Sequence, residues 1–152
     1  MSPPWAWYAG EDNMTAELTC KERLEENYRG RMDDIRKLWA MYCEDCEASD
    51  PDIGNFIEYG LCLDYVAPGT FNGQKRGYIR YQLSTGGPGD EFRFYLDENL
   101  ELTRIEYWFL DWFDGACRKL RSGEDFRLLC DIYQDWKDCG TIEDLIEKDA
   151  WR

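Results

Sequence analysis

The spacing of apolar side chains changes twice along this chain, and that change restricts its fold more than any single motif does. Residues 15–48 repeat their apolar positions at helical spacing, residues 55–112 alternate as strands do, and residues 124–150 return to helical spacing. Helices and strands segregated into blocks predict an α+β fold, not the alternating α/β class. With 152 residues the chain is long enough for one domain with its own core, and no internal repeat divides it.

The first block opens after residues 1–12, where Pro3, Pro4, Trp5, Trp7 and Tyr8 suggest an extended aromatic arm. Thr15 suits a helix cap, and Leu18, Leu24 and Tyr28 follow at near-helical spacing before Gly30 is expected to interrupt. A second helix over residues 31–48 carries Met32, Ile35, Leu38, Trp39, Tyr42, Cys43 and Cys46 on one stripe. Asp33, Asp34, Glu44, Asp45 and Glu47 occupy its other face.

Asp50, Pro51, Asp52 and Gly54 end the helical block. Residues 55–67 then place Ile57, Tyr59, Leu61, Leu63 and Tyr65 at a period of two, which predicts a half-buried strand. Glycine-rich turns separate it from strands over residues 77–84, 91–96 and 101–112, the last so apolar that both its faces should be covered. Gly115 is expected to turn the chain back to helix. Two helices follow over residues 124–138 and 141–150, the second capped by Thr141 with Asp144 three residues on. The predicted architecture is a four-stranded antiparallel β-meander over residues 55–114, flanked by helical segments 13–50 and 123–150, in a single domain 1–152.

The formal net charge is −14, from 32 acidic and 18 basic residues, with no histidine. Such a field repels nucleic acid and anionic membranes and accelerates encounter with basic surfaces. The excess lies toward the ends: residues 1–52 hold thirteen acids against six bases, and residues 111–152 eleven against seven. Candidate partner-binding residues are therefore Asp33, Asp34, Glu44, Asp45 and Glu47 in the first helical block, with Asp135, Asp138, Glu143, Asp144 and Glu147 in the last. Carboxylates spaced along helix faces can present charge loosely comparable to duplex phosphates, which lie about 1.7 Å apart along the axis. Direct contact with nucleic acid is not expected; a basic DNA-binding surface is the partner such a face would suit. The alternative is a solvated face that only keeps the protein dispersed.

Catalytic constellations are hard to assemble. Without histidine there is no Ser-His or Cys-His pair, and no nucleophile sits in a G-x-S-x-G turn. Cys43-x-x-Cys46 falls late in a predicted helix with no second such pair, so buried, ordinary thiols are expected, not a zinc or redox site. Gly86, Gly87 and Gly89 lack the Lys-Ser/Thr of a phosphate loop and read as a hairpin turn. Asp111 and Asp114 could form a carboxylate pair for hydrolytic or metal chemistry, although chance pairs are common in so acidic a chain. No catalytic residue, metal site or cofactor is expected. Seven cysteines, no signal-peptide pattern and no apolar run near the roughly 20 residues of a membrane span suggest free thiols in a reducing cytoplasm.

The central segment carries a resemblance. YGLCLDYVAPGTF at residues 59–71, GYIRYQLS at 77–84, GGPGDEFRFY at 86–95 and YWFLDWFDGA at 107–116 resemble a small family of uncharacterised phage and mobile-element proteins. Proteins of that kind resemble the small acidic anti-CRISPR and anti-restriction products of counter-defence loci. The resemblance implies a viral inhibitor that acts in the cytoplasm of a bacterial host, binding a CRISPR effector subunit or a restriction enzyme and blocking target DNA. It transfers no site residues, and it covers the strands but neither helical block.

Overall fold

The computed structural model describes residues 4–86, 88–111 and 114–151, with side chains from Lys21 onward. A long helix α1 (Pro4–Glu44) precedes a one-turn helix α2 (Phe56–Tyr59). Five strands follow, β1 (Cys62–Val66), β2 (Tyr78–Ser84), β3 (Gly89–Leu96), β4 (Leu102–Asp111) and β5 (Asp114–Leu120), and then α3 (Glu124–Asp138) and α4 (Thr141–Ala150). The strands form one antiparallel sheet in the order β1-β2-β3-β4-β5, a meander in which every neighbour is sequential. The α+β class and the helices at both ends thus match expectation.

Pleating gives the sheet two faces of different character. Ile79 lies opposite Tyr65 and Phe94, Phe94 opposite Ile105, and Ile105 opposite Leu120, so one cross-strand row is apolar from edge to edge. The adjacent row joins Leu63, Tyr81, Phe92 and Tyr107. Leu24, Tyr28, Met32, Ile35 and Leu38 of α1, Phe56 of α2, Leu129, Ile132 and Tyr133 of α3 and Ile142 of α4 pack with these rows in one core. The opposite face holds a separate small cluster, Val66, Tyr78 and Tyr95. Around it stand charged pairs: Arg80 with Asp64, Arg93 with Glu91, and Arg104 with Glu106.

Five features differ from the sequence reading. The extended arm expected over residues 1–12 and the break expected at Gly30 give way to one helix from Pro4. Proline is well suited to a first helical turn, and a helical glycine costs only about 1 kcal/mol relative to alanine. Leu24, Tyr28, Met32 and Ile35 lie on both sides of Gly30 along one buried stripe, so their burial outweighs that penalty. The aromatic side chains of Trp5, Trp7 and Tyr8 lie outside the described ones.

The strand expected from residue 55 begins only at Cys62, because Asn55 acts as a helix cap: its Oδ1 accepts the Glu58 backbone N–H at 2.8 Å. The fifth strand replaces the helix or loop expected after Gly115. Its residues alternate, with Ala116, Arg118 and Leu120 toward the helices and Cys117 and Lys119 away. The ten-residue β4 supplies a template long enough to pair them, and Lys119 stands opposite Glu106. Thr141 is the first residue of α4 and not its cap; Gly140, at φ 80°, occupies the cap position, a conformation that glycine tolerates best.

Candidate protein-binding surface

The C-terminal end of α1 is electrostatically costly. A helix C-terminus carries partial negative charge that basic side chains normally offset. Here the last turn contains no base, and Glu44, Asp45 and Glu47 add carboxylates at and just past the end. Residues 44–52 hold five acids and no base, whereas residues 21–37 of the same helical segment hold five acids and six bases. The acidity of the first block is thus concentrated where it least suits the helix.

Aromatic packing fixes what lies beside that end. Trp39 stacks on Tyr42 at 5.4 Å, and both meet the Phe56 ring, at 5.1 and 5.3 Å, which braces α2 against α1. Helix α3 approaches from the other side. Partial desolvation first, then the carboxylates of Asp135 and Asp131, push the Cys43 thiol pKa up. Tyr42 is shifted upward in the same way, by desolvation and by Asp135 and the neighbouring thiols Cys139, Cys46 and Cys43.

Between α2, β1 and the α3–α4 junction lies an apolar groove of about 450 Å³. Tyr42, Phe56, Leu63, Tyr81 and Trp136 line it, with Asp135 as the only lining acid among the described residues. Ile57 and Leu61 are 70% and 58% exposed at its edge, two of the few large apolar side chains left in water. An apolar centre beside carboxylates has the anatomy of a protein interface.

The ten predicted residues do not all share this surface. Glu44, Asp45 and Glu47 are exposed at the α1 end, where Asp45 Oδ1 accepts the Glu47 N–H at 3.0 Å and Asp135 of α3 is close enough to Tyr42 to help raise its pKa. Glu143, Asp144 and Glu147 are exposed on α4, and Asp138 accepts a hydrogen bond from Gln134 at 2.8 Å. Glu143 and Asp138 stand near Lys137, whose ion pair with Glu101 at 2.8 Å raises its pKa. Asp33 forms an ion pair with Arg36, and Asp34 accepts from the Tyr59 hydroxyl at 2.7 Å. Of the ten, only Asp33 has an ion pair among the described residues.

The other candidates are placed as follows. Cys43 and Cys46 are exposed free thiols, a departure from the buried role expected for them, because the helix stripe runs off the core before it reaches Cys43; Cys139 after α3 is exposed as well. No group of three or more Cys, Asp or Glu side chains that could hold a metal occurs among the described residues. Asp111 and Asp114 stand opposite each other at the β4–β5 hairpin, where Asp111 is paired with Arg23 at 3.1 Å and Asp114 is exposed. No described helix is long and apolar enough to cross a membrane.

No family model, curated protein or solved structure matches the chain. The groove residues Ile57 and Leu61 were missed as surface features because their alternation with Tyr59 and Leu63 mimics a strand. The Asn55 cap, three residues before Glu58, is the signal that would have separated them.

Proposed function

We propose that this protein is a non-catalytic inhibitor that docks its acidic helical end on a basic, nucleic-acid-binding surface of another protein and so keeps nucleic acid away. One observation carries the reading: carboxylates without ion-pair partners among the described residues gather at the C-terminal end of α1 and on α3 beside a groove with exposed Ile57 and Leu61. The acids hasten encounter and set orientation, while the groove contributes affinity that salt does not screen.

The resemblance of the sheet segment to phage and mobile-element proteins supports a more specific form of the proposal. In that form the target is a subunit of a CRISPR effector complex in a bacterial host, with a restriction enzyme as the alternative target of the same chemistry. The test is target-DNA binding by purified effector complexes of several types, and by restriction enzymes, with and without this protein at low and physiological salt. Loss of DNA binding in one of them is the expected result. Undiminished DNA binding in all of them at both salt concentrations would sink the proposal.

A further inference from the structure

On the sheet face that carries Tyr78 and Tyr95, four cations meet in a chain that is otherwise strongly acidic. Lys75 and Arg76 from the β1–β2 loop, Arg93 from β3 and Arg104 from β4 line a pocket of about 490 Å³, and no acidic side chain among the described residues lines it. Tyr78, Tyr95 and Phe71 supply its aromatic surface, with Phe71 53% exposed. We propose that this pocket binds a small phosphorylated ligand bearing an aromatic ring, of the size of a mononucleotide.

The arginines are held in place before any ligand arrives. Arg93 Nε donates to Glu91 at 2.8 Å while its guanidinium lies 4.2 Å from the Trp108 ring and 5.1 Å from the Tyr78 ring. Arg104 stacks on Tyr95 at 4.0 Å and pairs with Glu106 at 3.3 Å. Glu91 and Glu106 are themselves buried, and they do not line the pocket. Lys75 and Arg76 have no ion-pair partner among the described residues, so the pocket keeps unmatched positive charge. Arginine forks match phosphate oxygens, and rings stack on aromatic faces.

The loop that brings Lys75 and Arg76 to the pocket is ordered by one side chain. Gln74 Nε2 donates to the carbonyls of Ala67 and Arg76, at 3.1 and 3.0 Å, and its Oε1 accepts the Phe71 N–H at 3.0 Å. The turn closes further through Gly69 N–H to the Gln74 carbonyl at 3.0 Å. The backbone that carries Phe71 and the two cations is therefore set before binding, and only their side chains remain to be ordered.

A second, independent observation points to a ligand. The Tyr78 hydroxyl is the one buried side-chain polar atom among the described residues with no hydrogen-bond partner, and the Tyr78 side chain is 1% exposed. A buried donor left unpaired is costly, and nearly all such groups in folded proteins are satisfied. Tyr78 lines the pocket, and a phosphate oxygen becomes the missing acceptor when the side chains that cover the hydroxyl give way on binding. The volume also falls in the range of small-molecule sites, roughly 300 to 1,000 Å³, and exceeds what phosphate alone requires.

Calorimetric or NMR titration of the full chain with adenosine monophosphate, inorganic phosphate and adenosine tests the assignment. Adenosine monophosphate is expected to bind most tightly, inorganic phosphate more weakly, and adenosine least. The surface variant Lys75→Ala/Arg76→Ala should weaken adenosine monophosphate binding at least tenfold. Tyr78→Phe should also weaken it about tenfold, by loss of a charge-assisted hydrogen bond, while leaving the unliganded protein as stable as before or more so. Absence of binding by both phosphates, equal binding of adenosine and adenosine monophosphate, or unchanged affinity in the double variant would overturn the proposal. So would a Tyr78→Phe variant that loses stability but binds as tightly as the parent.

Discussion

Arg31 on α1 and Asp90 on β3 form a two-pronged ion pair, Nε to Oδ2 at 2.7 Å and Nη2 to Oδ1 at 3.0 Å, that ties the long helix to the middle of the sheet. Asp90 is 3% exposed and also accepts from Ser84 Oγ and, at 2.7 Å, from the Tyr107 hydroxyl. Arg31 reaches on to the Tyr59 oxygen at 3.2 Å, and Tyr59 donates to Asp34. Burial, partly offset by Arg31 and reinforced by Asp34, moves the Tyr59 hydroxyl pKa up to about 12, so this hydroxyl keeps its proton at neutral pH.

Removing one member therefore strands the others. Asp90→Ala leaves a half-buried guanidinium, a tyrosine hydroxyl and a serine hydroxyl without their shared acceptor, and it should cost about 3 to 5 kcal/mol in urea unfolding. Arg31→Ala combined with Asp90→Ala should cost less than the two separate losses added together, because the pair acts as a unit. Strict additivity in that double-mutant cycle would show that the two residues contribute independently.

Gly60 closes α2 against the sheet, and there a β-carbon has no room. One built at this position would lie 2.0 Å from Tyr81 Cε1, and the Tyr81 ring is buried and packed edge-on to Trp136 at 5.4 Å. Gly60→Ala must displace that ring, and it should destabilise the protein by about 1 to 3 kcal/mol, as other overpacking changes do. Gly30→Ala is the matched control: nothing lies within 4 Å of its added carbon, and the helix should gain up to about 1 kcal/mol. Thermal unfolding of both variants reads the contrast directly.

How much of this was legible in the sequence depended on which interactions decided each element. Helices over residues 124–138 and 141–150 were readable to the residue, because a dense apolar stripe and a glycine junction are local signals. The strands containing Ile79, Phe94 and Ile105 were readable for a similar reason, their alternation being long and bounded by turns. Strand β5 was not, since a short polar run becomes a strand only through a partner such as Glu106 opposite Lys119. The candidate surfaces lay further out of reach. That Asp34 belongs to a buried network and Asp135 to a groove depends on contacts between residues far apart in sequence, and so does the meeting of Lys75 with Arg104.

Acid should act on the segment after α1 through Asp50. Lys37 Nζ at 2.6 Å, and then the N–H groups of Asp52 and Ile53 at 2.9 and 3.1 Å, hold this carboxyl below its ordinary pKa of 3.8. A lowered folded-state pKa means that the stabilisation is present above the unfolded value and is lost as pH falls through the folded one. Lys37 is raised above 10.5 by the same contact, so the pair also weakens as pH climbs through that raised value. The stability difference between the parent and Asp50→Asn should be level through neutral pH and shrink below about pH 4. A difference that stays constant down to pH 2 would remove Asp50 from the account.

Charge and apolar contact make separable contributions to the proposed docking, and the two kinds of variant should fail in different ways. Glu44→Lys/Asp45→Lys/Glu47→Lys reverses charge at an exposed helix end that the macrodipole already disfavours for acids, so the folded protein should be unharmed or slightly more stable. Its association rate with a basic partner should nevertheless fall by about tenfold or more at low salt, and the deficit should narrow as ionic strength rises. Ile57→Ser/Leu61→Ser removes two exposed apolar side chains and leaves the charge untouched, so association should stay fast and dissociation should quicken at every salt concentration. Stopped-flow association and dissociation rates at two ionic strengths distinguish these outcomes. If the serine variant dissociates like the parent, the groove is no part of the interface and the carboxylates alone must account for binding.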